Sequence, residues 1–187
     1  LKKHIEAHNV ERSFVVWMTG YSSSGKTTIA TGLNIRLSEV GVLSEVLDGD
    51  VVRRDISNDL GFSHTDRIEN IRRVANVAAD KLDKGKIVIV SLISPYTEGR
   101  LLAKEICGDD RFIETFISSP LDVCESRDVK DLYKKARRGM VKNFTGISDI
   151  YQEPKDPDII IPTNTLTEKE SIGLLFNYVM ERLKSVR

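Results

Sequence analysis

Phe14-Val15-Val16-Trp17-Met18-Thr19-Gly20-Tyr21-Ser22-Ser23-Ser24-Gly25-Lys26-Thr27-Thr28-Ile29-Ala30 is the stretch that decides the fold of this chain. An apolar run leads into Gly20-Tyr21-Ser22-Ser23-Ser24-Gly25-Lys26-Thr27, which fits the phosphate-loop pattern G-x-x-x-x-G-K-[ST]. The run predicts a buried strand, and Thr27 onward predicts a helix whose first amides and dipole face bound phosphate. Loop N–H groups suit phosphate oxygens, Lys26 suits the terminal phosphates of a nucleoside triphosphate, and the Thr27 hydroxyl suits magnesium. Gly20, Ser22, Ser23, Ser24, Gly25, Lys26, Thr27 and Thr28 are therefore the candidate nucleotide-binding set. The plainer alternatives are a glycine- and serine-rich turn that fits by accident, and a loop that binds nucleotide without chemistry.

Outward from this stretch, apolar runs alternate with segments of helical period. Strands are predicted at 14–19, 43–47, 87–93, 112–117 and 158–161, and helices at 26–40, 66–84, 97–107, 121–138 in two pieces, and 167–185. Ile87-Val88-Ile89-Val90 is apolar on both faces, as in a parallel sheet covered on each side, so the expected class is α/β, doubly wound. A length of 187 residues suits a single domain over 1–187, with a polar N-terminal extension over 1–12. The irregular 139–157, interrupted by Gly139, Gly146, Pro154 and Pro157, reads as a lid.

Lys plus Arg number 28 and Asp plus Glu number 28, so no overall basic field recruits nucleic acid or a membrane. The apolar runs are far shorter than the roughly 20 residues of a span, and the N-terminus lacks an apolar signal core, which points to the cytoplasm. Cys107 and Cys124 form no disulfide or metal pattern and read as helix-packing residues; His4, His8 and His64 read as solvated or capping histidines.

Leu47-Asp48-Gly49-Asp50 ends the second strand and brings two carboxylates to the carboxyl edge of the sheet, where open α/β folds bind ligands. One suits magnesium or its waters and the other an acceptor hydroxyl; the alternative is a turn that caps the next helix. Arg67 and Asn70 share a helix face, Arg73 extends that side, and such a face suits either an anionic substrate or solvent.

The blocks Leu47-Asp48-Gly49-Asp50, Asp59-Leu60-Gly61-Phe62-Ser63, Asp66-Arg67-Ile68-Glu69-Asn70-Ile71-Arg72-Arg73, Ser91-Leu92-Ile93-Ser94-Pro95-Tyr96, Cys124-Glu125-Ser126-Arg127-Asp128, Leu132-Tyr133-Lys134-Lys135-Ala136-Arg137 and Phe144-Thr145-Gly146-Ile147 resemble, in order, the motifs of adenylylsulfate kinases. Each block is weak alone, and the ordered set behind a phosphate loop is specific. The resemblance implies a phosphate-loop kinase fold and transfer of phosphoryl from ATP, with Mg2+, to the ribose 3′-hydroxyl of adenosine 5′-phosphosulfate (APS). The product would be 3′-phosphoadenosine 5′-phosphosulfate (PAPS). By resemblance, Lys26, Asp48, Asp50 and Ser94 are catalytic, Thr27 and Asp48 hold the metal, and Lys134 and Arg137 approach ATP. Arg53, Arg67 and Asn70 bind the phosphosulfate, Phe62 and Phe144 sandwich the acceptor adenine, and Asp50, Ile93, Ser94, Lys130 and Asn143 complete the acceptor site. Ser94 also matches a serine often labelled a phosphoenzyme intermediate; direct in-line transfer meets the chemistry without it.

The chain departs from the family at Tyr21 and Ser23 in the loop, at Val51, at Asp55-Ile56-Ser57 and at Asn143. Where the family has glycine, Ser23 would be strained if the backbone is left-handed. A homodimer is the family expectation, and Leu1 in place of Met leaves room for a larger sulfate-activating protein. The rival readings are a noncatalytic nucleotide-binding regulatory domain of a sulfurylase-type protein, and another small-molecule kinase or nucleotide switch. Against the switch, the chain has no Asn-Lys-x-Asp motif.

Overall fold

The computed structural model describes residues 13–185, so the N-terminal extension, with His4 and His8, lies outside the described residues. Five strands, β1 (Val15–Thr19), β2 (Ser44–Asp48), β3 (Ile87–Ser91), β4 (Phe112–Ser118) and β5 (Ile159–Pro162), form one sheet in the order β2-β3-β1-β4-β5. All four pairings are parallel. The helices are α1 (Lys26–Glu39), α2 (Gly49–Asp55), α3 (His64–Leu82), α4 (Thr97–Cys107), α5 (Leu121–Arg127), α6 (Leu132–Arg137) and α7 (Glu168–Ser185).

Each face of the sheet has its own core. Val15, Trp17, Val88 and Val90 pack with Ile71, Val74, Ala78 of α3 and Ala103 of α4, while Val16, Met18, Ile89 and Ile117 pack with Leu33 of α1 and Leu175 of α7. This two-sided burial explains the strongly apolar strands, since alternate side chains feed opposite cores. Cys107 closes the first core, and Cys124 belongs to a smaller cluster with Tyr133, Ala136 and Phe144. Both thiols are free and buried on helices, as expected for packing residues.

The sheet and the long helices follow the sequence pattern, most ends lying within a residue or two of the expected ones, and three differences have local reasons. β3 ends at Ser91, short of 93, because the chain turns out of the sheet through Ser94, whose φ is 45°. α3 starts at His64, two residues early, because Ser63 and Asp66 form a reciprocal capping box. α2 was not expected as a helix: Gly49, Val51 and Val52 are poor helix formers, yet the Asp48 carboxylate caps it by accepting from the Asp50 N–H.

β1 and β3 are neighbours whose connections leave in opposite directions, which opens a crevice at their carboxyl ends. The register aligns Asp48 with Ser91 and Ser91 with Met18, one residue before the β1 terminus. The chemistry-bearing ends of β1, β2 and β3 are thus side by side.

Candidate active site

The phosphate loop is shaped by backbone that side chains resist. A Cβ on Gly20 would lie 2.6 Å from the Ile117 carbonyl oxygen, and Gly25 caps α1 at φ 102° with no side-chain hydrogen bond and no acidic residue in the first turn. The first amides of α1 are left to an anion. Ser23 sits at φ 59°, so serine bears the left-handed strain anticipated for that position. Ser23→Gly should raise stability by about 1 kcal/mol, or about 2–4 °C in melting temperature, measured by thermal unfolding of the free protein. An unchanged or lower midpoint would contradict the strain.

Lys26 is folded back onto the loop: Nζ donates to the carbonyls of Gly20 (2.9 Å) and Tyr21 (2.6 Å). Burial pushes its pKa down to about 8. The Thr27 hydroxyl donates to Asp48 Oδ2 at 2.8 Å, and Asp48 Oδ1 accepts from the Asp50 N–H at 3.0 Å. The expected metal-side role and the alternative reading as a helix cap thus fall on the same carboxylate, Asp48. Thr27 and Asp48 offer hard oxygens that fit magnesium, which takes one or two protein ligands with the rest from water and phosphate. Among the described residues no cluster of three or more His, Cys, Asp or Glu could hold a metal, and His64 instead pairs with Glu98. Asp50 is ion-paired with Lys130 across the cleft.

Beyond the loop one cavity of about 1300 Å³ continues past Asp50, Arg53, Arg67, Asn70 and Ser94 to Phe144. Arg53 stacks over the Phe62 ring at 4.6 Å and donates to the Gly61 carbonyl at 2.6 Å. Arg67 is buried, with Nε donating to the Phe62 carbonyl at 3.2 Å and Nη2 to the Asn143 carbonyl at 2.6 Å. Burial lowers the pKa of both arginines, and Arg67's charge adds to the effect on Arg53. Asn70 Oδ1 is buried in the cavity wall without a hydrogen-bond partner among the described residues, which suits it to a ligand. Ser94 Oγ accepts from the Trp17 indole N–H at 3.0 Å, which leaves its own proton to donate. The Ile93 carbonyl accepts from Thr19 Oγ1 at 2.7 Å and the Gly20 N–H at 3.3 Å.

Phe62 is half exposed at the rim, whereas Phe144 is buried edge-on against Tyr133, with ring centroids 4.9 Å apart. Asn143 precedes it at φ 53°, a conformation that asparagine tolerates better than most residues. Phe144 also opens a tight turn, its carbonyl accepting from the N–H groups of Ile147, Ser148 and Asp149. Farther along, the Gln152 N–H bonds the Pro95 carbonyl at 2.8 Å and the Tyr151 hydroxyl lies 2.9 Å from Thr19 Oγ1. The stretch expected to act as a lid is therefore anchored over 144–152.

Ser22, Ser23, Gly25, Lys26, Thr27 and Thr28 all line the cavity, while Ser24 is buried under the loop. Ile93, Lys130 and Asn143 line it as well. Three expectations are corrected. Lys134 and Arg137 line a neighbouring depression that adjoins the cavity at Arg127 without lining the cavity itself, and Arg137 is held by Glu125 at 2.9 Å, because α6 turns these side chains away from the loop. Arg73 pairs with Asp59 and Glu69 outside the cavity, since six residues of α-helix carry it about 120° round from Arg67. Arg127, Thr163, Leu166, Glu168 and Ser171 close the far end beside the loop and were not anticipated as site residues; Arg127 stands in a quoted motif block, and only a place after a strand end or at a helix start could have suggested the others.

The adenylylsulphate kinase family model matches residues 12–162 of this chain. The chain is 48% identical to an adenylyl-sulfate kinase of Bacteroides fragilis, over 92% of this chain and 86% of that protein. It is 47% identical to an adenylyl-sulfate kinase of Paraburkholderia xenovorans, over 90% of this chain and 94% of that one. Its fold is similar to that of the Mycobacterium tuberculosis APS kinase in complex with AMPPNP and APS, with a TM-score of 0.87, 42% identity, and coverage of 90% of this chain and 98% of that chain. A hexameric APS kinase from Thiobacillus denitrificans matches 96% of this chain over 31% of its own, with 28% identity and a TM-score of 0.69.

Proposed function

We propose, from the premise that the chain belongs to the adenylylsulphate kinase family, that the cavity beside the loop divides into a donor end at Lys26 and an acceptor end at Arg67. The protein is a kinase that transfers the terminal phosphoryl group of ATP to the ribose 3′-hydroxyl of APS, giving PAPS and ADP. The observation that carries the division is continuity: the loop and the buried guanidinium of Arg67 share one cleft large enough for two nucleotides.

At the donor end the loop amides and Lys26 take the phosphates, and the oxygens of Thr27 and Asp48 would hold Mg2+. That ion, when bound, neutralises charge on the transferring group. At the acceptor end Arg53, Arg67 and Asn70 receive the phosphosulfate, and Phe62 and Phe144 clasp the adenine. Asp50, with Lys130 as counter-ion, takes the proton of the 3′-hydroxyl, and the Ser94 O–H positions the acceptor. Lys134 and Arg137 have no part in this assignment.

Turnover with γ-labelled ATP and APS should place the label on the 3′-phosphate of the product with none retained on protein. Ser94→Ala should slow this reaction yet leave measurable product, because serine positions the acceptor without carrying the phosphoryl group. Protein-bound label that forms and decays at the turnover rate would overturn direct transfer.

We further propose a single domain, with any lid motion confined to 139–142, where the backbone N–H groups of Gly139 and Met140 reach only the end of α6 and none reaches the sheet edge as that of Gln152 does. Hydrogen exchange there that does not slow with both substrates bound would remove the lid. A regulatory module without catalysis has no use for a cavity that joins both ends. No helix among the described residues is long and apolar enough to cross a membrane. We place the enzyme in the cytoplasm as a homodimer, by itself or within a larger sulfate-activating protein, since two-fold pairs are the commonest assemblies and ATP is the donor.

A further inference from the structure

Arg67 depends on a residue 82 positions downstream that no motif marked, since its Nε lies 3.5 Å from Asp149 Oδ2. At that separation the contact is an ion pair more than a hydrogen bond, and with side-chain exposures of 9% and 17% it is poorly screened by water. The Tyr96 hydroxyl donates to the same Oδ2 at 2.6 Å, while Asp149 Oδ1 accepts from the Ile150 N–H at 2.9 Å. Tyr96 is itself buried at the start of α4, and its pKa is pushed up to about 12 by burial and by the Asp149 carboxylate, so it remains a donor across the neutral range. Asp149 is fixed by its backbone too, in the turn that begins at Phe144.

The guanidinium is thereby held along one edge. Nε faces the Phe62 carbonyl and Asp149, Nη2 faces the Asn143 carbonyl, and Nη1 has no hydrogen-bond partner among the described residues. The free edge is the one available to an anion in the cavity. A guanidinium held by its back edge loses little freedom on binding, which is the gain of preorganisation.

We propose that Asp149, fixed by the Tyr96 hydroxyl, is a positioning residue that aims Arg67 at the phosphosulfate of the acceptor and joins that aim to the turn carrying Phe144. The inference rests on the acceptor-end reading of Arg67. Asp149→Asn keeps the size and the oxygen that Tyr96 or Ile150 uses but removes the charge facing Nε. It should raise the KM for APS about tenfold, leave the KM for ATP within twofold, lower kcat by less than threefold and shift the melting temperature little. Tyr96→Phe, which removes a single hydroxyl, should raise the APS KM about threefold. The double variant should be no worse than Asp149→Asn, because the hydroxyl acts through the carboxylate.

The measurement is steady-state kinetics on the full chain with APS and ATP varied separately, with Arg67→Ala alongside. An APS KM within twofold of the parent in Asp149→Asn, equal rises for both substrates, or independent multiplication of the two single effects would overturn the clamp. An unchanged APS KM in Arg67→Ala would overturn the acceptor-end reading, and the clamp with it. Should Asp149→Asn fail to fold, Tyr96→Phe decides alone, a threefold rise for APS only supporting the clamp and no rise overturning it.

Discussion

Lys26→Ala is expected to lower the rate of PAPS formation at least about a thousandfold in a protein that still folds. A single preorganised donor aimed at developing charge is typically worth a factor of about 10²–10³, and a full positive charge at the migrating phosphoryl group exceeds a neutral donor. Folding should survive, because burial already works against this ammonium, as its lowered pKa of about 8 records. Its present partners are the carbonyls of Gly20 and Tyr21, which water can reach once the side chain is gone. Lys26→Met keeps most of the volume and should be equally inactive, which separates lost charge from lost packing. Single-turnover transfer above a tenth of the parent rate in either folded variant would remove Lys26 from the transition state.

The second large effect is expected at Arg67. Arg67→Ala should weaken APS binding by about 10- to 150-fold, the range set by about 1.5–3 kcal/mol for a hydrogen bond to a charged group. ATP binding should change by less than threefold, since the loop and Lys26 form the other end of the cavity. Arg67→Lys should rescue poorly: one ammonium cannot bond the Phe62 and Asn143 carbonyls in the planar arrangement seen here and still present a free edge. Calorimetric titration of APS in the presence of ADP measures this directly. Equal losses for both nucleotides would mean that the substitution had disturbed the cavity as a whole.

The fold was legible wherever chemistry repeats along the chain. β1, the loop and α1 are contiguous, so one local pattern specifies strand, turn and helix together. The two-sided apolar runs of β1 and β3 likewise announce a covered parallel sheet. Legibility failed where a residue does two jobs or where partners are distant. Asp48 hid α2 because the segment reads as a ligand edge, and the poor formers Gly49, Val51 and Val52 conceal the helix that it caps. Arg73 was misplaced because a basic face read by spacing of three or four drifts round a long helix; the register of α3 against the sheet, which no local pattern contains, decides which turn meets the cavity. Tyr96 and Asp149 are 53 residues apart, and Thr163 meets Ser24 from 139 residues away. Such meetings are products of topology.

The order of the strands bears on how the site comes into being. β1 carries the loop, yet its neighbours on the two sides, β3 and β4, are both made after β2. Thr19 takes its partner at Ile93, 74 residues on, and the loop carbonyl of Ser24 waits for Thr163 in the connection after β5. The first 86 residues thus hold every signature residue of the donor loop, with Asp48 as well, while β1 has neither hydrogen-bonded edge satisfied. Loop closure over such separations costs chain entropy before any contact repays it. During synthesis the nucleotide site consequently takes shape only after β3 and β4, although its loop is translated before them, and a nascent chain paused before β3 has the donor-loop signature with neither edge of β1 paired.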